Sequence, residues 1–206
     1  MDENFHFYEP SKEHGLSHSP LNAIVAPRPI AWVTTVNAAG SVNLAPFSYF
    51  NLVSARPPIV VVAAERANDT LHNCEETGEF VVNMVTATLA EQMNITSAAV
   101  PSEIDEMALA GLAQAPSRII RPPRVAASPA ALECKVVRIL QLDTLDGTPA
   151  HSRLIFGQVV GVHIDRAMLT EDGRFDTARA EPLARCGYLS EYTVARELFD
   201  MPRPKL

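Results

Sequence analysis

The residues best able to do chemistry crowd into the stretch from Ala26 to Asn51. Ala26-Pro27-Arg28-Pro29-Ile30-Ala31-Trp32-Val33-Thr34-Thr35 leads through Gly40 into Asn43-Leu44-Ala45-Pro46-Phe47-Ser48-Tyr49-Phe50-Asn51. Pro46 has no N–H to give a β-ladder, so peptide groups around it are left free to meet a ligand. Small residues, bare backbone N–H groups and one aromatic wall suit a flat heteroaromatic ring with polar edges. The plainer alternative is an edge strand with a bulge, its aromatics simply filling the core. On composition alone that alternative has the better claim.

Other chemistry finds little footing. The sequence has no G-x-x-x-x-G-K-[ST], no G-x-S-x-G and no H-E-x-x-H, which argues against a P-loop, a serine-hydrolase elbow and a zincin helix. It has no G-x-G-x-x-G either, so a Rossmann nicotinamide site is not expected. His14 and His18 stand four apart, as on one helical face. Gly15, Ser17, Ser19 and Pro20 oppose a helix there, and no metal site is expected.

These residues need elements to hold them. Ile30 to Asn37 is β-branched or aromatic, Ala38-Ala39-Gly40 offers a turn, and a second extended segment follows from Val42 to about Val53; together they predict a hairpin. Ile59 to Ala64, wholly apolar, predicts a strand buried on both faces. Asn68 or Asp69 can cap a helix of about two turns that Gly78 ends. Glu79 to Val85 predicts a strand, Thr88 to Ala99 a helix carrying Leu89 and Met93, and Glu103 to Ala110 a shorter one. Ala131 to Leu142 and Arg153 to Asp165 predict strands either side of an Asp146-Gly147 turn, and the proline-rich tail cannot form a long helix. Many strands with a few inserted helices point to a mainly β fold, a β-barrel with helical insertions; doubly wound α/β alternation is missing.

The totals are consistent with one domain over residues 1–206. Seventeen Lys and Arg against 24 Asp and Glu leave a net charge of −7, a poor match for nucleic acid, although a single phosphate remains compatible. Cys74, Cys134 and Cys186 are scattered and predict reduced, mostly buried thiols. The longest apolar run, Pro58 to Ala64, falls well short of the roughly 20 residues of a membrane span, and the N-terminus does not look like a signal peptide. A soluble, cytoplasmic protein with no membrane partner is expected.

The segment from Pro27 to Thr35, with Gly40, Asn43 to Asn51 and Pro57-Pro58, resembles the flavin reductase-like family, including its flavoredoxin-type members. Asp69-Thr70, Gly78 to Asn83, Ala131-Leu132-Glu133-Cys134, Gly157 to Val160, His163-Ile164-Asp165 and Arg185-Cys186-Gly187-Tyr188 continue the likeness in order. It spans about residues 5 to 192. The resemblance implies a split β-barrel that dimerises and holds FMN near the dimer interface. It also implies reduction of FMN by NADH or NADPH, in some cases to feed a separate monooxygenase. By position, Ala45, Pro46, Phe47 and Ser48 would lie along the isoalloxazine ring, while Ser54 and the loop Arg66, Asn68, Asp69 and Thr70 would approach the phosphate. Thr34, Arg185 and Tyr188 complete the implied cofactor-binding set. The free N–H groups and positive dipole end of a helix opening at Asn68 to Thr70 agree with a phosphate there.

The chain departs from that pattern in two places: similar sequences usually carry Lys-Asp-Thr where it has Asn68-Asp69-Thr70, and a Leu where it has Cys186. Trp32 is expected in the core or a dimer contact and His163 in a structural role. His6, Tyr8 and Tyr49 are candidates for shaping the nicotinamide side. Hydride transfer between nicotinamide and flavin needs no protein nucleophile, which fits the lack of a catalytic motif. Three rival readings remain: a tightly FMN-loaded electron carrier, an oxidase of a small phosphorylated metabolite, and a flavin-free dimerisation barrel.

Overall fold

Ala31-Trp32-Val33-Thr34-Thr35-Val36 contains only small, β-branched and aromatic residues and forms a strand with all six residues buried. The computed structural model, which describes residues 4–65 and 68–204, builds a seven-stranded antiparallel sheet around it. In chain order the strands are β1 (Arg28–Pro29), β2 (Ala31–Val36), β3 (Val42–Phe47), β4 (Phe50–Ala55), β5 (Pro58–Ala64), β6 (Glu79–Met84), β7 (Gln114–Ala115), β8 (Arg124–Val125), β9 (Ala130–Asp143), β10 (Pro149–Ile164), β11 (Leu183–Arg185) and β12 (Tyr192–Val194). Helices are α1 (Leu21–Ile24), α2 (Asp69–Thr77), α3 (Ala90–Ile95), α4 (Glu106–Leu109) and α5 (Thr177–Ala180). No helix among the described residues is long and apolar enough to cross a membrane.

The large sheet runs β3-β2-β6-β9-β10-β5-β4, while β1, β11 and β12 make a small second sheet and β7 and β8 a short ribbon. β3 and β4 are consecutive in the chain yet occupy the two ends of the large sheet. Laid flat, six strand spacings would part them by about 29 Å. Ser48-Tyr49, their only connection, bridges no more than about 11 Å. The sheet must therefore roll until its edges nearly meet, and Ala63 N–H donates to Tyr49 O at 2.8 Å, carrying the β4–β5 ladder into the link. The result is a split β-barrel.

Two large apolar clusters and a small third one of Val81, Ile120 and Ala131 fill the fold. Ala31, Val33, Val60, Val62, Phe80, Val82, Cys134 and Ile155 pack with Leu71 and Cys74 of α2. Trp32, Leu44, Val85, Leu89, Met93, Met107, Val125 and Leu183 form the other, which explains why β2 is buried on both faces. Burial pushes the Cys74 thiol up to about 12, with Glu75 adding to the shift, and pushes Cys134 up as well, so both thiols stay protonated.

Several expectations are refined. The second extended segment does not run from Val42 to Val53: it breaks at Ser48-Tyr49, and its second half crosses to pair with β5. Ile59 to Ala64 is a strand, but burial alternates, with Val60, Val62 and Ala64 turned inward. The helix expected over Thr88 to Ala99 is a 3₁₀ turn, Ala87–Leu89, followed by α3, and the later one shrinks to α4 behind an Asp105 cap. α2 matches its prediction: the Asn68 side chain accepts from Leu71 N–H at 2.9 Å, and Gly78 closes it at φ 70°.

Glu133, fully buried on β9, fastens the segment before β8 to the barrel. Its carboxylate accepts N–H bonds from Arg118 and Ile119 at 2.7 Å and Ile120 at 3.2 Å, and it is hydrogen-bonded to His163 Nε2. His163 is thus structural. Burial alone would raise the Glu133 carboxyl; the contacts from His163 and the three amides outweigh it and hold the group below the usual carboxylate range.

A carboxyl lowered in this way adds stability above its ordinary range, near pH 4, and loses it as pH falls through the depressed value. Glu133→Gln turns an amide nitrogen toward backbone donors and should cost about 2–4 kcal/mol at neutral pH. Chemical denaturation should also show a shallower loss of stability below about pH 4 in the variant. Gly157→Ala offers a second check: its Cβ would overlap the buried Phe80 ring and lie 3.1 Å from Cys134 Cβ. A loss of about 1–3 kcal/mol, lowering the melting temperature by roughly 2–10 °C, is expected.

Candidate functional site

The turn that closes the barrel also shapes its main clefts. β3 is an edge strand, and Pro46 removes one of its donors, so the ridge Pro46-Phe47 leads into the Ser48-Tyr49 bend with little ladder on its outer side. Three concavities share Pro46 and Phe47 as a common wall.

The first, about 480 Å³, lies between Ala45-Pro46-Phe47, the N-terminus of α2 at Asn68-Asp69-Thr70, and the segment Thr96 to Ser102. The amides of Asp69 and Thr70 have no intrahelical partner and point out of the helix end. Asn43 Nδ2 donates to Thr70 Oγ1 at 2.9 Å and Ser102 Oγ donates to Asp69 Oδ1 at 2.8 Å, so the helix start is braced by its neighbours. Glu106 reaches the same space and accepts from Leu44 N–H at 3.0 Å. Burial pushes its carboxyl above the usual range, with Asp69 and Asp105 adding to the shift and the Leu44 amide opposing it.

The second concavity, about 420 Å³, opens on the other side of the ridge between Ser48, Tyr49, Asn68, Arg28, Arg185 and Tyr188. The third, about 440 Å³, is bounded by Met93, Asn94, Ser97, Arg185 and Tyr192. Arg185 projects from β11 and donates to the carbonyls of Tyr188 and Leu189, at 3.1 and 2.7 Å, and to Tyr192 Oη. Those bonds hold Tyr188 at φ 53°, a left-handed backbone that a bulky residue adopts only where its surroundings impose it.

The structure thus brings Ala45, Pro46, Phe47, Ser48, Asn68, Asp69, Thr70, Arg185 and Tyr188 around one ridge. Thr34 is not among them. It is fully buried, and its hydroxyl accepts from Asn83 Nδ2 at 2.8 Å, inside a network in which Asn83 also donates to Trp32 O and accepts from Val125 N–H. Trp32 is likewise buried, its Nε1 donating to Thr96 Oγ1. Ser54 lines none of the three concavities; its hydroxyl donates to Pro57 O and closes the turn after β4. Arg66 lies outside the described residues. His6 and Tyr8 do not line the clefts, while Tyr49 does. Asn43, Thr96, Ser97, Glu106 and Arg28 were not singled out as ligand contacts from sequence. Thr96, Ser97 and Glu106 arrive from remote elements and no local signal marks them, whereas Asn43 and Arg28 lie within the stretch from Ala26 to Asn51 that the sequence marks as a whole.

The likeness to known proteins follows the same segments. A family model described as flavin reductase like domain matches residues 25–180. A protein of Halalkalibacterium halodurans is 38% identical over 191 residues, 90% of each chain. The crystal structure of nitrilotriacetate monooxygenase component B from Bacillus cereus superposes with a TM-score of 0.82 at 33% identity, over 88% of this chain and 90% of that one. A protein with a split barrel domain from Shewanella frigidimarina superposes with a TM-score of 0.80 at 23% identity, over 89% and 90% of the two chains, a likeness of fold. The match of the family model to most of the chain, on a rolled sheet whose open seam carries the ridge, makes this protein a member of the flavin reductase-like family.

Proposed function

We propose that the protein binds FMN along the Pro46-Phe47-Ser48 ridge and catalyses its reduction by NADH or NADPH. The observation that carries this reading is the meeting of that ridge with the free amides of α2. A planar ring needs a small-walled surface with bare peptide groups, and a phosphate tail needs N–H donors at a positive dipole end; both lie within one cleft. No Lys or Arg among the described residues lines that part of it. The negative charge there is moderated, because Asp69 is held by Ser102 and burial favours the neutral form of Glu106.

A bound flavin supplies the two-electron chemistry. The protein's own work is placement. Pro46 and Phe47 fix one face of the ring site, Ser48 offers a hydroxyl and peptide groups at its edge, and Asp69, Thr70 and Asn68 receive the tail. Tyr188, fixed by Arg185, borders the open side where a nicotinamide would stack. Walls of this kind orient the two rings and limit water at the point of transfer. Exposed Ile24, Val25, Leu52 and Val53 offer apolar surface that a second copy would cover, in keeping with a homodimer. A role as the reductase component beside a monooxygenase is in keeping with the likeness to a monooxygenase component B.

Anaerobic titration of the FMN-loaded protein with NADH and with NADPH tests this. Rapid bleaching of the flavin absorbance by at least one is expected; lasting yellow with both would replace the reductase with an electron carrier. Asn68→Lys should tighten FMN binding about two- to fivefold, by adding a cation beside the tail, while lowering helix stability by about 1 kcal/mol through the lost cap. Flavin fluorescence quenching and thermal melting would show those two changes in opposite directions.

A further inference from the structure

We propose that Arg28 and Arg185 form a phosphate-binding subsite in the concavity behind Ser48 and Tyr49. The two residues face each other directly across the β1–β11 pairing, Arg28 opposite Arg185. Residues so paired in an antiparallel ladder project from the same face with their Cβ atoms about 5 Å apart, and like charges placed there repel. Both residues line the same concavity of about 420 Å³.

Neither arginine takes part in an ion pair among the described residues, whereas Arg121, Arg153, Arg174, Arg179 and Arg196 all do. Arg28 is 8% exposed, and its partners are the neutral carbonyls of Asn22, Val25 and Cys186; its Nε is buried with none. Arg185 likewise meets only carbonyls and a phenol. The Tyr49 ring lies 5.6 Å from Arg28 Cζ and the Tyr192 ring 4.6 Å from Arg185 Cζ, so aromatic faces give partial relief. Glu65 also borders the space but pairs with neither. Two unneutralised cations, one of them buried, set opposite each other are costly for an empty fold, and a bound anion removes that cost.

The concavity shares Pro46, Phe47 and Asn68 with the proposed flavin cleft, so the anion belongs to a ligand that also reaches the ridge. Phosphate is the chemistry both substrates of the proposed reaction carry, on the flavin tail and on the dinucleotide. Arginine forks suit its oxygens. The subsite rests on that functional reading for the identity of the ligand, not for the charge that defines it.

Pyrophosphate, titrated into the protein with and without FMN and followed by calorimetry and thermal melting, tests the proposal. Saturable binding that raises the melting temperature is expected. Arg185→Gln should weaken it on the order of tenfold or more, and Arg185→Lys, which breaks the carbonyl clamp but keeps the charge, should weaken it less. Binding additive with FMN would assign the subsite to the dinucleotide; displacement of FMN by pyrophosphate would assign it to the flavin tail in place of the α2 amides. Absence of binding, an undiminished affinity in Arg185→Gln, or equal losses in the Gln and Lys variants would overturn it. None of these readouts needs hydride transfer, so the subsite can stand even where the reductase activity fails.

Discussion

A two-residue link between strands at opposite ends of a seven-stranded sheet is the constraint on which the rest of this structure depends. Ser48 and Tyr49 cannot span the width of a flat sheet, so every strand between β3 and β4 must curl. The curl creates an interior that Val33, Val60, Val62, Phe80 and Ile155 fill. It also leaves a seam where the backbone departs from its ladder, and that seam is where the clefts gather.

The same constraint explains how remote parts of the chain meet there. α2 is anchored by Leu71 and Cys74 in the barrel, so its N-terminus is fixed against β3. Asn43, on β3, bonds Thr70 on α2 and so ties strand to helix start. On the other side, β1 leads into β2 and draws β11 with it, bringing Arg185 and the Tyr188 turn to the opposite flank of the ridge. Packing of apolar side chains sets these positions, and polar contacts then fix the last few ångströms.

Local signals in the sequence carried a good part of this. Asn68 or Asp69 as cap and Gly78 as terminator placed α2 to within a residue, because caps act over one turn. Proline at position 46 marked the ridge, since the loss of a backbone donor is a property of one residue. The break at Ser48-Tyr49 was not legible: those residues are compatible with a continuous strand, and only the pairing of β4 with β5 ends it. Thr34 lies away from the ridge although its sequence neighbours belong to the motif, since its side chain is buried against Asn83. The resemblance marked Asn68 as a missing cation, and the structure shows what the residue does instead, accepting the Leu71 amide. The opposition of Arg28 and Arg185 needs the register of two short strands far apart in the chain, which no window of sequence contains.

Charge is then distributed unevenly about the ridge. One flank carries Asp69 and Glu106 beside helix amides, the other two unneutralised arginines. An anionic group meets attraction at the α2 amides and at the arginines and repulsion beside Asp69 and Glu106, so the charge about the ridge is not symmetric. For a reaction whose chemistry resides in its cofactors, orientation of the two rings is most of what a protein can contribute. The reaction proposed above would ask the walls of the ridge for placement, and for no nucleophile, acid–base pair or metal of the protein's own.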